Sequence, residues 1–329
     1  MPARLAWLLV LAALFVVLPG LLWASGSGYY FRIAQLAMVF SILSVSLNFV
    51  CGTGGLLSLG HAAFYGIGAY AAALASTRWG FGFALTLPLA GIVAGAIGVL
   101  VALPTMRLVS IYFACATLGL GEIIYVTLLN WVSFTRGPMG GPGIPPMRLL
   151  GFDLSGPLAS YYTVACVTAA SVWCLHRLTH SYYGNALRAL REDDQCAEAM
   201  GLDTVRLKIE VFAIACFFAG IAGALEAHTG NYISPDYFRF GESILILAMI
   251  VIGGLGSLPG AIVGAVLMIL LPELLRVIGD FRMIAVGMFM FLSILFMPKG
   301  LFGEISALAL ARRTLGGAWT GAAAKVGWR

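Results

Sequence analysis

The residues able to do chemistry in this chain fall into three groups. The first is the polar stretch 184–208, GNALRALREDDQCAEAMGLDTVRLK, set in a sequence that is otherwise almost continuously apolar. Five of the nineteen Lys and Arg lie between Arg177 and Lys208, beside Glu192, Asp193, Asp194, Glu198 and Asp203. A folded, mixed-charge insert is not needed merely to turn a chain between two apolar runs. It is expected to be a docking surface for something soluble, with a plain solvated loop as the alternative. Ala186, Leu187, Leu190, Cys196, Ala197 and Met200 recur at helical spacing. Gly201 suits a helix end that needs positive φ, and Asp203 suits an N-cap. The stretch therefore reads as one amphipathic helix, a glycine stop, a cap and a following apolar helix.

The second group is CGTGGLLSLGHAAFYGIGAY, residues 51–70, with six glycines beside Thr53, Ser58 and His61. Such a run makes a poor lipid-facing helix. It suits a broken one whose freed backbone groups line a pathway, or one packed closely on neighbours. Gly55-Leu56-Leu57-Ser58-Leu59-Gly60 has a partial echo in Gly254-Leu255-Gly256-Ser257-Leu258-Pro259-Gly260. Paired glycine interruptions in two halves of a transporter mark a pathway, so Ser58, Gly60, His61, Gly253, Gly254, Gly256 and Ser257 are candidate lining residues. The third group is Glu122, a carboxylate inside the apolar run 109–131, with His61 as a possible partner. Such groups normally face a bundle interior. Asn48, Glu226, His228 and Glu242 fall near the ends of apolar runs and read as interfacial and hydrated.

Several chemistries are absent. The lysines are Lys208, Lys299 and Lys325, none preceded by Gly, so there is no Walker A motif. Neither HExxH nor GxSxG occurs. Glu122 alone is deep, whereas ion-coupled transport usually needs more than one buried carboxylate. The six cysteines form no CxxC pair and read as small hydrophobes, with no disulfide framework and no metal site. The net charge of +5 is no nucleic-acid signal.

The elements that must position these residues are membrane helices. Only 10% of the 329 residues are charged and 61% are hydrophobic, against about 25% charged in soluble domains. With about 20 residues needed per span, ten candidate runs appear: 5–23, 32–50, 56–76, 82–103, 109–131, 159–175, 209–228, 243–257, 260–278 and 282–297. The fold class is thus an all-α polytopic membrane protein with about ten transmembrane or partly broken helices. Alternating the spans from a cytoplasmic N-terminus puts twelve of the nineteen Lys and Arg inside, so both termini and the insert 177–208 are expected in the cytoplasm. The first run imitates a signal peptide, but Leu22 fits the cleavage site poorly, which favours a retained span over a cleaved leader. The loop 132–158, with GPMGGPGIPP, is expected to be a turn-rich external connector without helix, or a surface for a substrate-delivering partner. Residues 1–303 form the membrane domain, and 304–329 form a basic cytoplasmic tail expected to be disordered against anionic headgroups.

The order of GGLLSLGHAAFYGIGAY, IYFACATLGLGEIIY, ALRALREDDQCAEAMGLDTVRLKIEVFAIACFFAGIAGAL, GGLGSLPGAIVGA, LPELLR and MPKGLFG resembles the permease of branched-chain amino acid ABC importers, the LivM-type subunit. The resemblance runs from about residue 30 to 303. It implies a bacterial inner-membrane, multi-pass permease that is not itself an enzyme. The implied partners are a second homologous permease, two cytoplasmic ATPases that use the ATP, and a periplasmic substrate-binding protein. No cofactor is expected on this chain. The segment from Arg191 to Gly201 corresponds to the loop that couples to the ATPase, giving Arg188, Arg191, Glu192, Asp193, Asp194, Ala197, Glu198, Ala199 and Gly201 as candidates. Ala197-Glu198-Ala199 and Gly201 match the coupling-loop consensus only loosely. Related permeases carry urea, amides or other amino acids, so those substrates stay open. A self-contained channel or secondary transporter, and a multi-span membrane enzyme, are the other classes.

Overall fold

The computed structural model describes residues 28–105, 110–149, 152–296 and 300–301. The apolar run 5–23 and the tail from 304 lie outside the described residues, as do both ends of the proposed topology. Twelve α-helices are present among the described residues: α1 (Gly28–Asn48), α2 (His61–Arg78), α3 (Phe83–Thr105), α4 (Ser110–Asn130), α5 (Val132–Thr135), α6 (Pro157–Thr179), α7 (Tyr182–Glu192), α8 (Asp194–Ala199), α9 (Thr204–Gly230), α10 (Phe240–Gly253), α11 (Leu258–Leu274) and α12 (Arg282–Phe296). Five stretches are long and apolar enough to cross a membrane: Gly28–Thr53, Phe83–Thr105, Tyr112–Asn130, Pro157–Thr179 and Thr204–Gly230.

Each of the nine apolar runs that falls on described residues holds a helix, but three are shorter than read. The run 56–76 becomes helical only at His61, 243–257 stops at Gly253, and 260–278 tightens into a 3-10 turn at Leu275. At 1.5 Å per residue, the 14 residues of α10 span about 21 Å, short of a core about 30 Å thick. Glycines carry both interruptions on the insert side: residues 54–60 between α1 and α2, and 254–257 between α10 and α11.

The centre is α9, flanked by α2 and α3, with α1 packed on α6, α9, α10 and α11. Lipid supplies no hydrophobic drive between helices, so close approach of small residues holds such a bundle. A Cβ on Gly68 would overlap the Gly220 backbone, and one on Gly220 would overlap Ala90 and Ala94 of α3. The end opposite the insert is closed by the 132–158 segment, which the glycine and proline content suggested would be helix-free. It contains the one-turn helix α5 and a 3-10 turn at Gly137–Met139. Two short antiparallel ladders follow, β1 (Gly141–Pro142) with β4 (Tyr232–Ile233) and β2 (Arg148–Leu149) with β3 (Phe152–Asp153). Ile144 and Met147 are buried, so the segment packs against the bundle instead of looping free.

Candidate coupling and translocation site

The insert is two capped helices, not the single helix its apolar spacing suggested. Ser181 caps α7, its Oγ accepting the Gly184 N–H at 3.4 Å. Asp193 is extended (φ −157°, ψ 112°), and its Oδ1 accepts the N–H groups of Gln195 (2.8 Å) and Cys196 (3.1 Å), starting α8. Bonds from the backbone and thiol of Cys196, then from the Gln195 backbone, hold the Asp193 carboxyl below the usual carboxylate range. The same contact pushes the Cys196 thiol up. The break re-aims the second half of the insert. Leu187, Leu190 and Ala197 are buried, while Cys196 and Met200, read as part of the same stripe, face out. Gly201 has φ +87° and Asp203 caps α9 through the Arg206 N–H at 3.0 Å, both as the residue types require.

Of the candidate coupling residues, Arg188, Arg191, Glu192, Asp193, Asp194, Glu198, Ala199 and Gly201 are exposed, and Ala197 is turned inward. Arg188 anchors the insert, donating to the Thr179 carbonyl (3.1 Å) and Asn185 Oδ1 (3.0 Å). Asp194 pairs with Lys208 and ties α8 to α9. Beside these charges two large apolar side chains stand in the open, Tyr182 at 95% and Met200 at 85% exposure.

Arg191 does something different from its neighbours. Its Nη1 donates to the Gly52 carbonyl at 2.5 Å, 139 residues back in sequence. That carbonyl lies in the π-helical turn Phe49–Thr53 that ends α1. The aliphatic stem of Arg191 packs on Gly55. In the same place Asn48 Oδ1 accepts the Gly256 N–H at 2.9 Å, and a Cβ on Gly52 would overlap the Gly256 backbone. The turn at Gly254 (φ +113°) and Gly256 (φ +83°) needs a backbone that side-chained residues rarely adopt. Ser257 Oγ accepts the Gly260 N–H at 3.2 Å and caps α11, and Gly253 abuts Gly260 face to face. The turn that leads into the first glycine break therefore meets the second break in space, with the insert's arginine on both.

The remaining pathway candidates form a second group. Gly60 packs against the Thr117 carbonyl and Gly121 of α4, and the Leu59 N–H donates to Thr117 Oγ1 at 3.1 Å. The Ala62 N–H donates to Ser243 Oγ of α10 at 3.0 Å, so two neighbouring helices satisfy the open N-terminus of α2. Glu122 lines a small crevice here with Leu59, Ala63, Gly121 and Ser243. His61 points elsewhere: its Nε2 pairs with Ser46 Oγ of α1 at 2.9 Å, which is not the Glu122 partnership suggested by charge alone. Ser58 is buried, with its Oγ unpaired among the described residues.

Polar residues near span ends carry more structure than an interfacial reading allowed. Asn48 is 2% exposed and ties the end of α1 to the turn at Gly256; Glu226 is half-buried and paired with Arg32; His228 is buried between Thr86 and the Pro145 carbonyl. Thr117 and Ser243 are not among the candidates, since a hydroxyl inside an apolar run carries no distinguishing pattern. The signal available for Asn48 was an amide at the end of an apolar run, just before a glycine cluster.

Five helices among the described residues, long and apolar enough to cross a membrane and packed around a polar insert, give the chain the form of a multi-pass membrane protein. It belongs to the family described as the branched-chain amino acid transport system / permease component, whose pattern matches residues 29–298. It is 38% identical over 292 residues to the high-affinity branched-chain amino acid transport system permease protein LivM of Salmonella typhimurium, covering 82% of this chain and 69% of that protein. The LivM protein of Escherichia coli K12 matches to the same extent. The LivH permease of E. coli K12 is 24% identical over 297 residues, covering 83% of this chain and 94% of that protein. No solved structure matches the chain.

Proposed function

We propose that this chain is one of two related permease subunits of an ATP-driven importer of branched-chain amino acids in the inner membrane of a bacterium. It forms half of the translocation pathway and works with two cytoplasmic ATPases and a periplasmic substrate-binding protein. The relatives' names supply the substrate class. In this reading residues 1–303 are the membrane domain, 304–329 the cytoplasmic tail, and 177–208 the cytoplasmic insert that receives the ATPase. Tyr182, Met200 and the acids of α8 would seat in a socket of that subunit, pairing apolar anchors with charge.

The observation that carries the reading is the bond from Arg191 to the Gly52 carbonyl. It joins the insert to the turn that leads into the first glycine break and touches the second. A push on α7 then arrives at the hinge between α1 and α2 and at the α10–α11 turn without passing through a flexible linker. The breaks supply the bistable element; the partners supply the energy.

Co-purification is the test. A tagged chain should bring down a second permease and two ATPases, and the reconstituted assembly should take up leucine only with ATP and the binding protein. Leucine flux through the chain alone, without ATP, would replace the proposal with a self-contained carrier. A cognate binding protein that takes urea or an amide and ignores Leu, Ile and Val would change the substrate and leave the coupling intact.

A further inference from the structure

Helix α4 stands off the bundle and scarcely touches α3. The gap is an apolar cavity of about 490 Å³ between α2, α3 and α4, lined by residues such as Ile67, Leu74, Val93, Ile97, Ile124 and Leu128. Trp79 and Trp131 stand at its outer end, 66% and 54% exposed, where interfacial aromatics sit at headgroup level. A second cavity of about 140 Å³, of mixed polar and apolar lining, adjoins it and includes Thr77, Arg78 and Arg136. Tyr70, Leu74, Phe134 and Thr135 line both. Tyr70 is 4% exposed, yet its hydroxyl has no hydrogen-bond partner among the described residues. No acidic residue lines either cavity among the described residues.

The geometry points to a phospholipid site in the leaflet opposite the insert, with one acyl chain in the α2–α3–α4 groove and the phosphate held by Arg136 and the Tyr70 hydroxyl. Three features select this occupant. From Ile67 to Trp79 the groove descends about 18 Å along α2, close to half of a core about 30 Å thick. The groove is lined almost wholly by apolar side chains, as an acyl chain requires. The charge at the rim is cationic, and the buried, unpaired hydroxyl is a donor waiting for an acceptor. Arg78 is the fixed part of the corner, donating to the Ser133 and Phe134 carbonyls at 3.0 and 3.1 Å. Arg136, at φ +65°, caps α5 and presents its side chain to solvent.

Native mass spectrometry of the full-length chain in micelles containing phosphatidylglycerol and phosphatidylethanolamine tests this. The wild type should retain one phospholipid. Leu74→Trp, which fills the groove, should abolish retention. Arg136→Asn and Tyr70→Phe should each weaken retention about tenfold, the factor for a lost charge-assisted hydrogen bond, with the melting temperature unchanged. Asn tolerates positive φ, so Arg136→Asn stays folded even if Leu74→Trp does not. Excess inorganic phosphate should not displace the lipid. Equal retention in wild type and all variants, no retained lipid in the wild type, or binding of phosphate in place of lipid would each overturn the site.

Discussion

At the scale of single residues, Arg191 and Asp193 are neighbours in sequence with opposite duties. Arg191 looks inward to the bundle, whereas Asp193 keeps the insert in two pieces. Removing the Arg191 guanidinium should leave ATPase association intact and lower ATP-dependent uptake about tenfold or more, since a hydrogen bond from a charged donor contributes roughly 1.5–3 kcal/mol. ATP hydrolysis should continue, and Arg191→Lys should recover part of the uptake. Loss of ATPase association in Arg191→Ala would instead make the residue a docking contact. For Asp193 the sign follows from its depressed carboxyl pKa. Capping is complete above the usual aspartate range and fades as pH falls through the lowered value. Protection of the Gln195 and Cys196 amides, measured as exchange relative to the intrinsic rate at each pH, should fall on acidification in the wild type. Asp193→Asn should hold those amides without the pH dependence, and Asp193→Ala should expose them at every pH.

Elements were legible where apolar length decides the matter, and less so where backbone contacts do. Nine apolar runs on described residues locate nine helices because lipid demands an internally bonded backbone. The insert's break at Asp193 escaped a reading based on apolar spacing, since Cys196 and Met200 are apolar enough to continue the stripe. The cap, which competes with helix continuation, decided otherwise. The echo marked two glycine interruptions in the chain, but not the partners of either. Those partners are main-chain atoms and a distant amide, which no side-chain pattern announces. Glycine packing gives an element-scale test. Gly68→Ala forces a methyl into the Gly220 backbone and should cost about 1–3 kcal/mol as overpacking, read as a lower melting temperature in micelles. Gly119→Ala, with nothing within 4 Å of its added methyl, should be nearly neutral.

Across the whole molecule the two ends are built differently. Opposite the insert, the β1–β4 ladder, the His228 contact to Pro145 and the Arg239–Asp236–Tyr125 cluster bind the connectors together. At the insert end, the corresponding joints are glycine turns, linked to the end of α1 by the Gly256 bond to Asn48 and to the insert by the Arg191 bond to Gly52. If ATP drives the cycle as proposed, trapping the assembly with a non-hydrolysed ATP analogue should change amide exchange at 49–60 and 254–257. Residues 140–149 and 228–239 should change little. Equal change at both ends would favour rigid tilting of the whole subunit over hinging at the breaks.

The acceptor that Arg191 meets is a peptide carbonyl, and this has a genetic consequence. A peptide carbonyl cannot be mutated away or exchanged for a better match, and position 52 has no room for a side chain beside Gly256. A screen for second-site suppressors of Arg191→Ala should therefore return nothing at position 52. Rescuing changes should fall on the partner ATPase or on residues that shift the balance of the turn at 254–257. Pairwise covariation between 191 and 52 should likewise be silent, although the two residues touch.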